Sequence, residues 1–390
     1  MLIALLSAAL AGVNPNAVPT QDLYADDGET KESRENVQFA VLGDVRPAMP
    51  GETAAGRAAT PDTEARIVKD ISEQVQAGKV DFVLLLGDLV RESTTAEWKR
   101  FSKDWGLVLS GSELPETGTM RVRSIPVAGN HDRAGDERMV GFGAAFPGVG
   151  VDIGFGRVAS WYSFDVTARG ARWRFVVLDS AKDELGSRWD EQLEWIPKAL
   201  SGDAYDGVLV FMHHPRWTLA NGKACDEGGG PSELVDAVES STGLGKLKAV
   251  FAGHAHTNEV YLPSGKKGEI YVVAGGGGSP ADSFARWGVR EDRDLKLEPI
   301  WDLAVLREFD YWVEPRKIPE AIVEKAKARG SFEGFNAEID AHWFPVQGWW
   351  NVELDGANMH LTFRVIDHEG KLKDLYTMDY VDGDGWRIGR

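Results

Sequence analysis

The chain has 390 residues, 43% apolar and 27% charged, with 43 Lys plus Arg against 61 Asp plus Glu and a net charge of −18. That composition excludes a collagen-like or disordered chain, and the acidic balance disfavours a backbone-tracking nucleic-acid binder, which needs a basic face. The single cysteine, Cys225, excludes an intrachain disulfide, a cysteine-rich zinc site and an Fe–S cluster.

Leu2 to Ala11 is an apolar run far below the ~20 residues of a membrane span. It ends in Ala9-Leu10-Ala11, an A-x-A pattern like a signal-peptidase site, but no basic residue precedes it. Residues 1–11 therefore read as a signal peptide, which implies a periplasmic or extracellular protein, or as an unprocessed apolar N-terminus of a cytoplasmic one. Residues 12–36 are polar and acidic and read as a linker. No other stretch looks transmembrane.

Val37 to Leu42 predicts a strand closed by Gly43-Asp44. Thr60 and Pro61 offer a cap and first position for a helix carrying Ile67, Val68, Ile71 and Val75 at helical spacing. Val80 to Leu86 predicts a buried parallel strand and stops at Gly87-Asp88. Trp98, Phe101 and Trp105 mark one face of the next helix. Ile125 to Ala128 predicts a strand before Gly129-Asn130-His131-Asp132. Further strands are expected at Arg174 to Leu178, Gly207 to Met212, Leu247 to Ala252 and Tyr271 to Ala274, with helices at Trp189 to Leu200 and Ser232 to Val238. This alternation predicts an α/β core over 37–285.

Residues 286–348 lack that rhythm and read as an insertion or cap, with one helix near Pro319 to Ala328. Residues 349–390 read as antiparallel strands, Asn351 to Leu354, Met359 to Val365 and Leu372 to Met378. Turns fall at Asp355-Gly356 and Glu369-Gly370.

Five of the eight His lie in three clusters at strand ends: His131, His213-His214, and His254 with His256. Asp44, Asp88 and Asn130 occupy equivalent ends. In open α/β sheets that carboxyl edge is where ligands bind. Carboxylates, an amide oxygen and imidazoles converging there form an N/O donor set suited to first-row metals. A carboxylate between two such groups can bridge two ions, and an ion pair ~3.5–4 Å apart clamps a phosphoryl group and activates water.

Gly43-Asp44, Gly87-Asp88, Gly129-Asn130-His131-Asp132, His213 and Gly253-His254-Ala255-His256, in that order, resemble the five blocks of the calcineurin-like metallophosphoesterases. These are relatives of the purple acid and Ser/Thr phosphatases. The fragment Trp189 to Trp195 is similar to the family's helix after its central Leu-Asp-Ser, here Leu178-Asp179-Ser180. The resemblance covers roughly residues 37–282 and resumes at the final strands.

It implies a four-layer sandwich of two mixed β-sheets flanked by helices. It also implies two metal ions, Mn, Fe or Zn. Asp44 and His256 would hold the first, Asp88 would bridge, and Asn130, His213 and His254 would hold the second. His131, with Asp132 beside it, would assist the leaving group, and His214 would support the ligands from behind. The reaction implied is hydrolysis of a small phosphoester, monoester or diester, by metal-activated hydroxide.

One position departs from the pattern. Asp44-Val45-Arg46 stands where the family has Asp-x-His, and a guanidinium has no lone pair for a metal. Arg46 clamps a phosphate oxygen, forms an outward salt bridge, or marks a degenerate first site in a non-catalytic metal- or phosphate-binding relative. Arg91 has the first two readings, the structural one favoured. Gly275 to Gly278 reads as a flexible turn or an anion cradle. The loop Lys223 to Gly230, with Cys225, is expected to border the pocket, Cys225 as an incidental thiol. His342, His360 and His368 fit no ligand spacing and are read as structural or surface groups.

Overall fold

The computed structural model describes residues 36–46, 62–109, 124–146, 160–202, 205–218, 230–243, 245–262, 269–279, 340–344, 347–366 and 371–389, with short pieces at 21–22, 53–54 and 57–58. The expected signal peptide, the Thr60-Pro61 cap, the helix near 319–328 and the Cys225 loop lie outside the described residues.

Two sheets form the centre. The smaller contains β1 (Val37–Leu42), β2 (Phe82–Leu85), β3 (Ser124–Pro126) and, near the C-terminus, the long strands Gly348–Asp355, Asn358–Ile366 and Leu372–Val381, then Gly385–Gly389. β1, β2 and β3 run parallel, and Gly348–Asp355 joins β1 antiparallel, with Val352 opposite Phe39. The larger sheet contains β4 (Tyr162–Ala168), β5 (Ala171–Val177), β6 (Gly207–Met212), β7 (Leu247–Ala252), β8 (Asn258–Leu262) and β9 (Ile270–Ala274). β5, β6, β7 and β9 are parallel neighbours, while β4 and β8 run against β5 and β9. Gln21–Asp22 pairs with β4 at one edge, and Asp340–Phe344 pairs with β8 at the other. Residues 340–344 of the segment read as a cap are thus an edge strand of this sheet.

Side-chain alternation makes the layers. Val37, Phe39 and Val41 of β1 enter the core between the sheets, and Ala40 and Leu42 point the other way. Both faces are covered, which is why β2 reads as an unbroken apolar run and β1 as one interrupted only by Gln38. Phe39 stacks on Phe82 at 5.0 Å and meets Phe175 edge-on at 5.2 Å. Phe175, Phe211 and Phe251 then stack at 5.3 Å steps across β5, β6 and β7. One phenylalanine ladder therefore joins the two sheets.

Helices cover the outer faces. α1 (Asp62–Gln76) and α2 (Thr95–Asp104) lie on the smaller sheet and bury Ile67, Ile71, Trp98 and Phe101. Thr94 caps α2 by accepting from the Glu97 N–H. α3 (Arg188–Ala199) and α4 (Gly230–Ser241) lie on the larger sheet and bury Trp189, Trp195, Ile196, Leu234, Val235 and Val238. The result is an α/β/β/α sandwich. No described helix is long and apolar enough to cross a membrane.

Candidate metal centre

The ends of β1, β2, β3, β6 and β7 meet at one edge of the sandwich. Gly43 lets the two sheets close there: a Cβ on it would sit 3.0 Å from Leu86 Cβ and 3.3 Å from Gly253 Cα. A Cβ on Gly129 would fall 2.3 Å from Asp88 N, so no larger residue fits between these loops. Asp44, Asp88 and His254 all adopt left-handed backbone, with φ of 57°, 52° and 66°. Non-glycine residues rarely do so, and such strain concentrates at functional sites.

Asp44 and Asp88 are fully buried, as is His213. His213 Nδ1 donates to the Leu86 carbonyl at 2.7 Å, which turns Nε2 toward the site. That Nε2 lies 3.2 Å from Asp88 Oδ1 and 3.1 Å from Asn130 Oδ1. Asp44 receives the His254 N–H on Oδ2 at 2.7 Å, and its Oδ1 lies 3.4 Å from His256 Nε2. One ligand atom from each of Asp44, Asp88 and His213 lies within 4.8 Å of the others, and the same holds for His213, His214 and His254.

These distances bring together all six residues expected to bind metal: Asp44 with His256, Asp88 centrally, and Asn130, His213 and His254 beyond. The donor chemistry fits a cation. Asp44 Oδ1 and Asp88 Oδ2 are buried acceptors with no hydrogen bond, and buried carboxylate oxygens need a donor or an ion. His213 Nε2 faces two oxygens, an arrangement that only a proton or a cation reconciles. Burial opposes charge on both partners, yet the ion pair wins. Asp88 is held well below the usual carboxylate range by His213, His131 and His254, and the Asp88 carboxylate pushes His213 up to about 9.

His131 is one-third exposed, and its Nδ1 donates to the Arg91 carbonyl at 2.6 Å. Its N–H donates to Asp88 Oδ1 at 3.0 Å, and its Nε2 lies 3.8 Å from Asp88 Oδ2. Asp132 is fully buried. Its oxygens accept from the N–H groups of Asp88 (3.0 Å), Leu89 (2.8 Å), Val90 (3.3 Å) and Gly129 (2.9 Å). Burial and the Asp88 carboxylate push its pKa up to about 7 against those bonds. His214 Nδ1 pairs with Ser180 Oγ at 3.0 Å, and its ring is 4.4 Å from that of His254.

Two expectations are corrected. Arg46 is only 7% exposed, so it is not an outward salt bridge. Gly275 to Gly278 is a packed strap rather than a flexible turn, and the N–H groups of Gly275 and Gly277 are committed to backbone carbonyls. Gly275 N donates to Thr257 O, Gly277 N to Gly43 O and Ser279 N to Asp44 O, and the run straps the Asp44 loop in place. Sequence reasoning also missed the Arg133–Asp179 ion pair, which joins two of the loops at this edge. Arg133 directly follows Gly129-Asn130-His131-Asp132, and Asp179 sits in the Leu-Asp-Ser fragment, so both positions were on view but not their pairing.

The calcineurin-like phosphoesterase family model matches residues 37–258. The chain belongs to the calcineurin-like phosphoesterase family. Among individual relatives, tartrate-resistant acid phosphatase type 5 of Mus musculus is 26% identical over 238 residues, 54% of this chain and 64% of that protein. The Homo sapiens protein of the same name is 27% identical over 238 residues, 54% of this chain and 65% of its own. The chain thus spans less than two thirds of the length of these relatives.

Among solved structures, purple acid phosphatase PPD1 from yellow lupin (Lupinus luteus) seeds superposes with a TM-score of 0.53 at 17% identity, over 87% of this chain and 53% of that one. GAP50, the anchor in the inner membrane complex of Plasmodium, superposes with a TM-score of 0.50 at 13% identity, over 92% of this chain and 90% of that one. A phosphatase and an anchor share this fold, so the side chains at the sheet edge decide what this chain does.

Proposed function

We propose that the protein is a metal-dependent phosphoester hydrolase with a dinuclear centre. The observation that carries this reading is the convergence of buried, partly unmatched acceptors, Asp44 Oδ1 and Asp88 Oδ2, with His213 Nε2 and Asn130 Oδ1. The likeness to acid phosphatases supports the same chemistry.

In this reading Asp44 and His256 would hold one ion, Asn130, His213 and His254 would hold the other, and Asp88 would serve both. The donor set suits Mn, Fe or Zn. When bound, the ions supply Lewis acidity toward a phosphoryl oxygen and make water a competent nucleophile near neutral pH. The chain's own residues do the rest. The Leu86 carbonyl takes the Nδ1–H of His213, which would leave the Nε2 lone pair available to an ion. The Arg91 carbonyl holds the Nδ1–H of His131 in the same way, so His131 can protonate the departing alkoxide only as the imidazolium, with its second proton on Nε2. Asp132 is a positioning residue: its four backbone bonds fix the Asp88 turn against the Asn130 turn. Arg46 supplies no ligand and is assigned to a phosphate oxygen.

The test is hydrolysis of p-nitrophenyl phosphate and its diester, bis(p-nitrophenyl) phosphate, with Mn, Zn or Fe supplied and Asn130→Ala beside the wild type. Turnover that the variant lacks is the expected result, and the ratio of the two rates gives the ester class. Absence of turnover with every metal and both esters would overturn the reading in favour of a binding relative whose first site Arg46 has degraded.

A further inference from the structure

Next to the centre is a cavity of about 510 Å³ that shares Asn130 with it. It lies between the loop after β3 and the segment entering α3, so one wall comes from each sheet. Its floor is Arg133, Met139, Leu185 and Arg188, which are buried or nearly so, Arg188 with a side chain 13% exposed. Its rim carries Glu137, Arg138, Asp183 and Glu184, all exposed.

The floor holds two guanidiniums. Arg188 lies over the Trp161 ring at 4.4 Å and pairs with the exposed Glu191 at 3.9 Å. Arg133 donates to the buried Asp179, but its Nε–H is buried and makes no hydrogen bond. Burial, reinforced by Arg188 and opposed by Glu184, pulls Arg133 down to about 10, so it stays charged at neutral pH. A buried donor without an acceptor calls for one. Guanidinium forks match carboxylate and phosphate oxygens. The exposed rim acids act through water and salt and are screened, whereas the floor cations act at lower dielectric.

We propose that this cavity receives the leaving group of the substrate, and that the preferred phosphoesters carry a second anionic group, carboxylate or phosphate, held by Arg133 and Arg188. This inference rests on the hydrolase reading above. It names the part of the substrate that the metal centre itself does not select.

The experiment measures phosphate release from four small esters of the metal-supplied full-length protein. They are ethyl phosphate, ethanolamine phosphate, 2-phosphoglycolate and 1,2-ethanediol bisphosphate, which differ chiefly in the charge of the tail. The expected kcat/KM is at least tenfold higher for one or both anionic tails than for ethyl phosphate, and lowest for the ethanolamine ester. The more favoured of the two anionic tails identifies carboxylate or phosphate as the group recognised. Arg188→Gln is expected to reduce that discrimination about tenfold. Arg188→Met, which keeps the packing on Trp161, does the same if the first variant folds poorly. Equal rates on all four esters, preference for the cationic tail, or variants that slow every ester alike would overturn the subsite alone. Turnover of bis(p-nitrophenyl) phosphate with all four monoesters inert would also overturn the subsite alone. If both p-nitrophenyl esters and all four of these esters are inert, the hydrolase reading falls, and the subsite with it.

Discussion

Asp88 has neighbours in every direction that matters. One oxygen faces His213 Nε2 at 3.2 Å and receives the His131 N–H at 3.0 Å. The other is buried without a hydrogen bond, 3.8 Å from His131 Nε2. In the proposed centre a residue so placed would serve both ions. Asp88→Ala should therefore lose both ions, read by elemental analysis of the purified protein, together with all turnover. A variant that stays fully metallated would remove Asp88 from the bridging position. His131 is different, because its contacts run through Nδ1 and the backbone and leave its ring one-third exposed. His131→Ala should keep the metal content and lower kcat by about 10²–10⁴, the usual contribution of a positioned acid. The loss should grow as the leaving alcohol becomes more basic. An equal loss for p-nitrophenol and for an alkyl alcohol would show that His131 handles no proton in the limiting step.

At the scale of elements, five loops matter more than the strands that carry them. The Gly275 to Gly278 strap reaches from β9 to the Asp44 turn, where Gly277 N meets Gly43 O at 3.0 Å and Ser279 N meets Asp44 O at 2.9 Å. A Cβ on Gly277 would fall 2.3 Å from Gly43 O, a backbone atom that cannot swing aside. Gly277→Ala should displace Asp44, weaken metal binding at least tenfold in a metal titration, and leave the far-UV circular dichroism unchanged. Full affinity in that variant would mean that Asp44 holds its place without the strap.

The strap also shows what the sequence conveys and what it does not. The five strand ends were legible because buried parallel strands are largely apolar, and each is followed by Asp, Asn or His, with a glycine just before that residue in four of the five. A run of glycines carries no side-chain pattern, so its packing role could not be read. β8 was missed because Glu259 interrupts its apolar pattern. That carboxylate is fully buried, and the hydroxyls of Thr218 and Thr257, at 2.9 and 2.6 Å, and of Tyr261 satisfy it. β4 was missed although Arg169-Gly170, both with positive φ, forms its turn to β5. The pairing of Arg133 with Asp179 spans 46 residues, and no local pattern reports a contact that distant. Arg46 was recognised as unable to ligate, but only the packing shows that it is inside.

For the whole molecule, the decisive fact is that the candidate ligands come from different sheets. Asp44, Asp88 and Asn130 follow β1, β2 and β3 of the smaller sheet, and His213, His254 and His256 follow β6 and β7 of the larger. An ion at this edge would tie the two halves of the sandwich together, at the open end of a core whose middle is held by the phenylalanine ladder. Binding only to the folded state stabilises it by about 4 kcal/mol at a thousandfold excess over Kd. Mn, Zn or Fe should then raise the thermal midpoint by several degrees, and a chelator should reverse the rise. Asp88→Ala should show no such rise. Phe175→Ala acts at the other end of the same coupling. Phe175 is fully buried and touches Phe39, Phe82, Phe164 and Phe211, so its truncation should cost about 3–5 kcal/mol. Because Phe175 lies away from the ligands, the variant should keep a metal-dependent rise as large as that of the wild type. A smaller rise would show that packing between the sheets sets the ligand spacing as well as the stability. An Asp88→Ala protein that metal still stabilises would place the ion somewhere other than this edge.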